Sequence, residues 1–151
     1  MPDIIAVLLS WAVTLSGYPA PTVLPVIHFV PHHQLEEMAC DGKTCGVLGW
    51  HPPGIDLYFD DRMDPENSTT SSSIIVHEMV HFLQEVSHKY PSPPTCDQLF
   101  EMEQEAGHVQ RDYLTQYGRI QTVGRQTRAQ MQCVDAVAPA PSLTAEAAVL
   151  K

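Results

Sequence analysis

The apolar positions of this chain change period several times, and each period predicts a different element. The opening run "DIIAVLLSWAVTLSG" spaces Ile4, Leu8, Trp11 and Leu15 at intervals of three and four, which is one face of a helix. Asp3 suits the N-cap and Gly17 stands where a helix can close in the left-handed region. The apolar run is shorter than the roughly 20 residues that cross a bilayer. It carries an acid, Asp3, where a signal peptide has a basic segment. It is therefore read as the packed first helix of the mature domain, and no stable membrane span is expected.

"YPAPTVLP" forbids regular helix and suits an extended connector. "VIHFV" (Val26 to Val30) alternates β-branched and aromatic residues as a strand does, and "HHQLEEMAC" predicts a short helix or turn. Two further strands, Gly46 to Trp50 and Ile55 to Asp60, join through "HPPG". In the second, Ile55, Leu57 and Phe59 alternate with Asp56, Tyr58 and Asp60, the mark of a sheet with one wet face. The loop "DRMDPENSTTSSS" offers serines to cap a helix running from about Ser73 to His88, whose apolar stripe is Ile75, Met79, Phe82, Leu83 and Val86. After the break at "KYPSPPT" come a helix over about Cys96 to Tyr117 and another over about Arg119 to Val134. One helix, a few strands and then helices predict a segregated α+β fold with a small, mostly antiparallel sheet. Residues 1–136 form the single domain and 137–151 a Pro/Ala-rich tail.

Composition narrows the class of partner. The chain has 151 residues, 44% of them hydrophobic, enough for one core. Its formal charge of −10 repels phosphate backbones, so nucleic acid is excluded as a natural partner. Cys40 and Cys45 bracket the turn-forming "DGKT", which can bring them within bridging distance. Cys96 and Cys133 then pair by elimination, which places the protein in an oxidising, exported compartment. The spacing suits a four-cysteine zinc site poorly, and buried free thiols are the bland alternative.

The chemistry concentrates in "SSSIIVHEMVHFLQE". His77 and His81 stand four apart, so a helix projects both imidazoles from one side. Two such nitrogens can bind one Zn²⁺, and Glu78 is placed to act as a general base without ligating. Apolar "IIV" and "MV" around them predict a buried helix, where two histidines need partners that a metal would satisfy together. A catalytic zinc commonly takes a third protein ligand. "FEMEQEAGHVQ" offers Glu101, Glu103 and Glu105, with His108 beyond.

At this segment the chain resembles the gluzincin metallopeptidases, whose third ligand is a glutamate on a later helix, often three before an alanine. Glu103 and Ala106 fit that pattern, and Glu103 follows His81 with 21 residues between. The resemblance thus implies Glu103 as the ligand. Glu101 is the reserve, with Glu105 then supporting a histidine from behind. Gly107 departs from the pattern in which an acid sits four after the ligand, so that support must come from elsewhere if Glu103 ligates. "VHEMVHFLQ" and "EMEQEAGHVQRDYL" together are similar to a family of small bacterial proteins of the zincin-like fold. That implies a minimal one-domain zincin with its active-site helix beneath a small sheet. The expected activity is zinc-dependent hydrolysis of peptide or protein substrates with Glu78 as general base; the alternative is a non-catalytic zinc domain using the same ligands. "IDLYFD" is the expected edge strand along the cleft, and His88, Tyr90, His108, Arg111, Tyr113 and Tyr117 are candidate oxyanion donors. His28, His32, His33 and His51 are read as surface or strand residues.

Overall fold

The computed structural model describes residues 3–117 together with Met131 and Cys133; apart from those two residues, the helix expected over about Arg119 to Val134 and the C-terminal tail lie outside the described residues. Within them the chain runs α1 (Ile4–Ser16), β1 (Val26–Val30), α2 (His32–Ala39), β2 (Gly49–Trp50), β3 (Asp56–Asp60), α3 (Thr69–Ser87) and α4 (Cys96–Gln116). The fold is α+β. No helix among the described residues is long and apolar enough to cross a membrane.

The helix boundaries follow the capping chemistry. Asp3 accepts from the Ile5 amide at 3.1 Å, and Gly17 closes α1 with φ 78°. Ser68 caps α3 by accepting from the Ser71 amide, one turn earlier than the apolar stripe suggests, because the serines and threonines of "STTSSS" continue the helix once it is capped. At α4, Thr95 and Gln98 form a reciprocal capping box.

The sheet differs from the expected one in two respects. Its order is β1-β3-β2, so β3, the expected edge, is the central strand. It is also mixed rather than mostly antiparallel. β1 runs parallel to β3 over five residue pairs, whereas β2 pairs antiparallel with β3 only at Gly49 and Trp50. The connection from β1 to β3 through α2 and β2 permits the parallel pairing, which the apolar alternation of each strand cannot reveal. The edge strand after α2 is therefore β2.

One face of β3 carries Leu57 and Phe59, both fully buried against α3, and α1 and α4 close the remaining sides of that helix. A stripe of apolar residues was expected on α3. The helix is buried, as the apolar neighbours of its histidines predict, and from Ser71 through Gln84 on every face rather than along that stripe alone, because elements pack around it. Asp60, at the end of β3, is buried and binds Arg62 and His32. Chiefly through the Arg62 hydrogen bonds, its carboxyl is held down at about 2. Cys40 pairs with Cys45, as the turn between them predicts, and Cys96 with Cys133, the pair expected by elimination. The first loop spans 5 residues and the second 37. By chain entropy, replacing Cys96 and Cys133 by serine should cost about 3–4 kcal/mol and replacing Cys40 and Cys45 about 2 kcal/mol. Urea denaturation of the two double variants measures both, and an equal loss would contradict the loop-length argument.

Candidate metal centre

The site is built by two helices and one strand. α3 carries His77 and His81 one turn apart with Glu78 next to His77, and α4 lies alongside it and brings in Glu103. All four side chains are buried, Glu103 being the most exposed at 6%. His81 Nε2 lies 3.1 Å from one Glu103 oxygen and His77 Nε2 3.5 Å from the other. These three residues form a group whose ligand atoms all lie within 4.8 Å of one another, able to hold a metal ion. Glu101 is exposed, so of the candidate glutamates Glu103 is the one that joins the histidines.

Five buried polar atoms in the group have no hydrogen-bond partner: both Glu78 oxygens, His77 Nε2, His81 Nε2 and Glu103 Oε2. An unsatisfied buried polar atom costs roughly 1–3 kcal/mol. The His81–Glu103 pair at 3.1 Å offsets part of that cost, whereas His77 Nε2 and the two Glu78 oxygens have no such offset. A divalent cation satisfies the two histidine lone pairs and the carboxylate at once, and its charge stabilises the Glu78 carboxylate beside them. The donor set of two imidazoles and one carboxylate suits such an ion.

The opposite nitrogen of each histidine is fixed by an amide rather than an acid. Gln84 Nε2 donates to the Met102 carbonyl at 3.0 Å and to Glu105 at 3.1 Å. Both are pure acceptors, so the amide oxygen must face His81, whose Nδ1–H donates to it at 2.8 Å. On the other side the Ser73 hydroxyl donates to the Thr70 carbonyl at 2.8 Å and accepts from Gln110 Nε2. The Gln110 oxygen therefore accepts from His77 Nδ1–H at 3.0 Å. Each chain of bonds thus assigns the hydrogen on Nδ1 and turns Nε2 into the group. These two glutamines were not singled out from the sequence. The available signal was Gln84, one turn beyond His81 on the same helix.

Burial sets the charge states before any metal binds. It pushes the Glu78 carboxyl up to about 8. Burial also holds His77 neutral by lowering its pKa. At His81 burial opposes the charge, but the adjacent Glu103 carboxylate outweighs it and raises the group to about 9. Burial would likewise raise Glu103, yet the histidines hold it below the usual carboxylate range.

Several other sequence candidates are engaged away from the group, whereas His51 lies within electrostatic reach of His81. The Tyr90 hydroxyl is bound to Glu105, the Tyr113 hydroxyl to Ser72, and His108 pairs with Asp112 on the surface. His88 ends α3 with φ 56°. His28 is held by Asp56 and His32 by Asp60 and the Cys45 carbonyl. His51, read as a surface or strand residue, is half-buried just after β2. It donates from Nε2 to the Gly54 carbonyl, and burial lowers it to about 4, so it is neutral. Gly49 on β2 was also unanticipated: a Cβ there would meet Glu78 Cγ at 3.0 Å and the Phe59 ring at 3.1 Å. Its lack of a side chain lets the strand approach the Glu78 carboxylate.

No family model, curated protein or solved structure matches the chain.

Because the metal-free group holds a proton on His81 up to about 9, a metal must displace it from Nε2. Affinity for Co²⁺ should therefore fall as pH falls below 9, by up to about tenfold per unit for each proton released. Calorimetric titration in two buffers of different ionisation enthalpy counts those protons; pH-independent binding without proton release would contradict this assignment.

Proposed function

We propose that the protein is a zinc-dependent peptidase of gluzincin type, reduced to one small zincin-like domain. The observation that carries this reading is the convergence of orphaned ligand atoms from His77, His81 and Glu103 beside a buried, unpaired Glu78 carboxylate. A site that only braced the fold would have no need of that carboxylate. The two cysteine pairs fit work in an oxidising, exported location.

Bound zinc would supply Lewis acidity, polarising a peptide carbonyl and acidifying a water. His77 and His81 present Nε2 and Glu103 a carboxylate oxygen to hold it. Glu78 receives the proton of the attacking water on a carboxylate oxygen and delivers it to the departing amine. Burial favours the protonated form of Glu78, which holds the proton for delivery; a bound cation would supply the positive charge that favours its carboxylate form.

The terminal place of β2 in the sheet supports an extended peptide as substrate. The Asp60 amide donates to the Leu48 carbonyl at 3.0 Å, which makes these two a hydrogen-bonded pair. By the antiparallel alternation, the Gly49 N–H and C=O point away from β3. A substrate strand can pair with them within reach of Glu78, which adjoins the same glycine. The cleft wall is thus β2, in place of the "IDLYFD" segment.

Elemental analysis and hydrolysis of an unstructured reporter protein test the reading together. The parent should hold about one zinc per chain; Glu103→Ala should lose most of it. Glu78→Gln should keep the metal and lose roughly 10²–10⁴-fold in turnover. Zinc bound by a parent that hydrolyses nothing would instead identify a non-catalytic zinc domain. A folded parent without zinc would sink both.

A further inference from the structure

Glu105 belongs to neither the ligand group nor the β2 cleft, yet its carboxylate collects four donors. Gln84 Nε2 donates at 3.1 Å, Lys89 Nζ at 2.6 Å and the Tyr90 hydroxyl at 2.6 Å, with the Tyr18 hydroxyl as the fourth. They come from the connector just after α1, from α3 and from the loop before α4. The ammonium of Lys89 also lies 5.4 Å from the centres of both tyrosine rings.

One of these bonds leads back to the metal centre. The Gln84 amide donates to Glu105 from nitrogen and accepts from His81 Nδ1–H on oxygen, at 2.8 Å. A bond donated by an amide nitrogen to an anion draws electron density onto the amide oxygen, which strengthens the bond that oxygen accepts. The histidine receiving that pull on Nδ1–H becomes a better donor at Nε2. The chain behind His77 differs in charge: Gln110, the Ser73 hydroxyl and the Thr70 carbonyl are all neutral. The two histidines, alike in the sequence motif, are thus backed unequally.

We propose that Glu105 is a positioning residue of the metal centre: acting through Gln84, it orients His81 and makes it the stronger of the two histidine ligands. This rests on the reading that the group holds a metal. The support expected behind a ligand histidine is then a carboxylate placed one amide away.

The fold should tolerate the test substitution. Glu105 lines a cavity of about 390 Å³ with Tyr18, Lys89 and His108, so donors released by Glu105→Gln can turn to water. Zn²⁺ affinity is measured by competition with a chelator for the parent, Glu105→Gln, Gln84→Met and the double variant. Far-UV circular dichroism of each metal-free chain gives its melting temperature separately. Glu105→Gln should weaken Zn²⁺ binding roughly tenfold and Gln84→Met roughly 10- to 100-fold. The double variant should bind no more weakly than Gln84→Met alone, since the relay is already cut. The visible absorption of bound Co²⁺ should shift in Glu105→Gln.

A merely structural clamp would lower the melting temperature while leaving Zn²⁺ affinity and the Co²⁺ spectrum at the parent's values; that result overturns the proposal. So do additive losses in the double variant. Where Glu105→Gln does not fold, Lys89→Met removes an exposed partner that neutralises the carboxylate. It should tighten Zn²⁺ binding severalfold, and unchanged or weaker binding counts against the relay. Silent Glu105 variants in a parent that binds zinc would fail this inference alone. A parent that binds none would fail the metallopeptidase reading beneath it.

Discussion

Polar groups that water cannot reach must find partners inside the fold, and α3 imposes that demand more than any other element. From Ser71 to Gln84 the helix is buried on every side, yet it carries three serines, two histidines, a glutamate and a glutamine through the core. Most of these are answered locally. Ser72 and Ser73 donate to carbonyls one turn back, and Tyr113 donates to Ser72. The atoms left over are not scattered. They are the Nε2 nitrogens of His77 and His81, the Glu78 carboxylate and one oxygen of Glu103. A fold that satisfies the rest of this helix and leaves these atoms convergent has the form of a binding site.

The arrangement also shows how a small domain can hold such a group rigidly. Gln84 and Gln110 each spend the amide nitrogen on acceptors of the fold and the amide oxygen on a histidine. Tautomer and ring orientation therefore follow from backbone carbonyls at Met102 and Thr70, which α3 and α4 fix. Placing an ionised acid directly behind each histidine would have buried more charge next to Glu78 and Glu103. Neutral amides avoid that desolvation cost. The remaining acid, Glu105, stands farther out, where Lys89 and two tyrosines balance it. Two disulfides supplement a modest core, as suits a chain of this size.

The sheet contributes shape more than area. β3 is central and supplies Leu57 and Phe59 to the core, while β2 is only two residues long. Its brevity matters less than its position. Gly49 brings backbone against Glu78, where a Cβ would press on the Glu78 Cγ and the Phe59 ring. A peptide-bond donor and acceptor are thereby left facing outward beside the buried glutamate.

Local chemistry was legible because it depends on residues close in sequence. Asp3, Gly17 and the serine cap announced their helices, and the turn between Cys40 and Cys45 announced its disulfide. The four-residue spacing of His77 and His81 placed both on one helical side, since helix geometry alone determines that. Glu103 was reached through resemblance to a pattern, and the packing of α4 on α3 then brought its carboxylate to both histidines. What tertiary structure alone decided were relations between distant segments. Hydrophobic alternation does not encode which strand is central or which pair runs parallel, so β3 could be mistaken for an edge. Apolar neighbours of the histidines announced that α3 is buried, but amphipathicity does not show how many elements will cover a helix, so its burial on every face was decided by packing. Nor does any local pattern show that Gln110, 33 positions along, would reach His77, or that Glu105 would reach His81 through Gln84. Hydrogen bonds across a packed interface depend on the axial register of two helices, and that register is set only when the whole core closes.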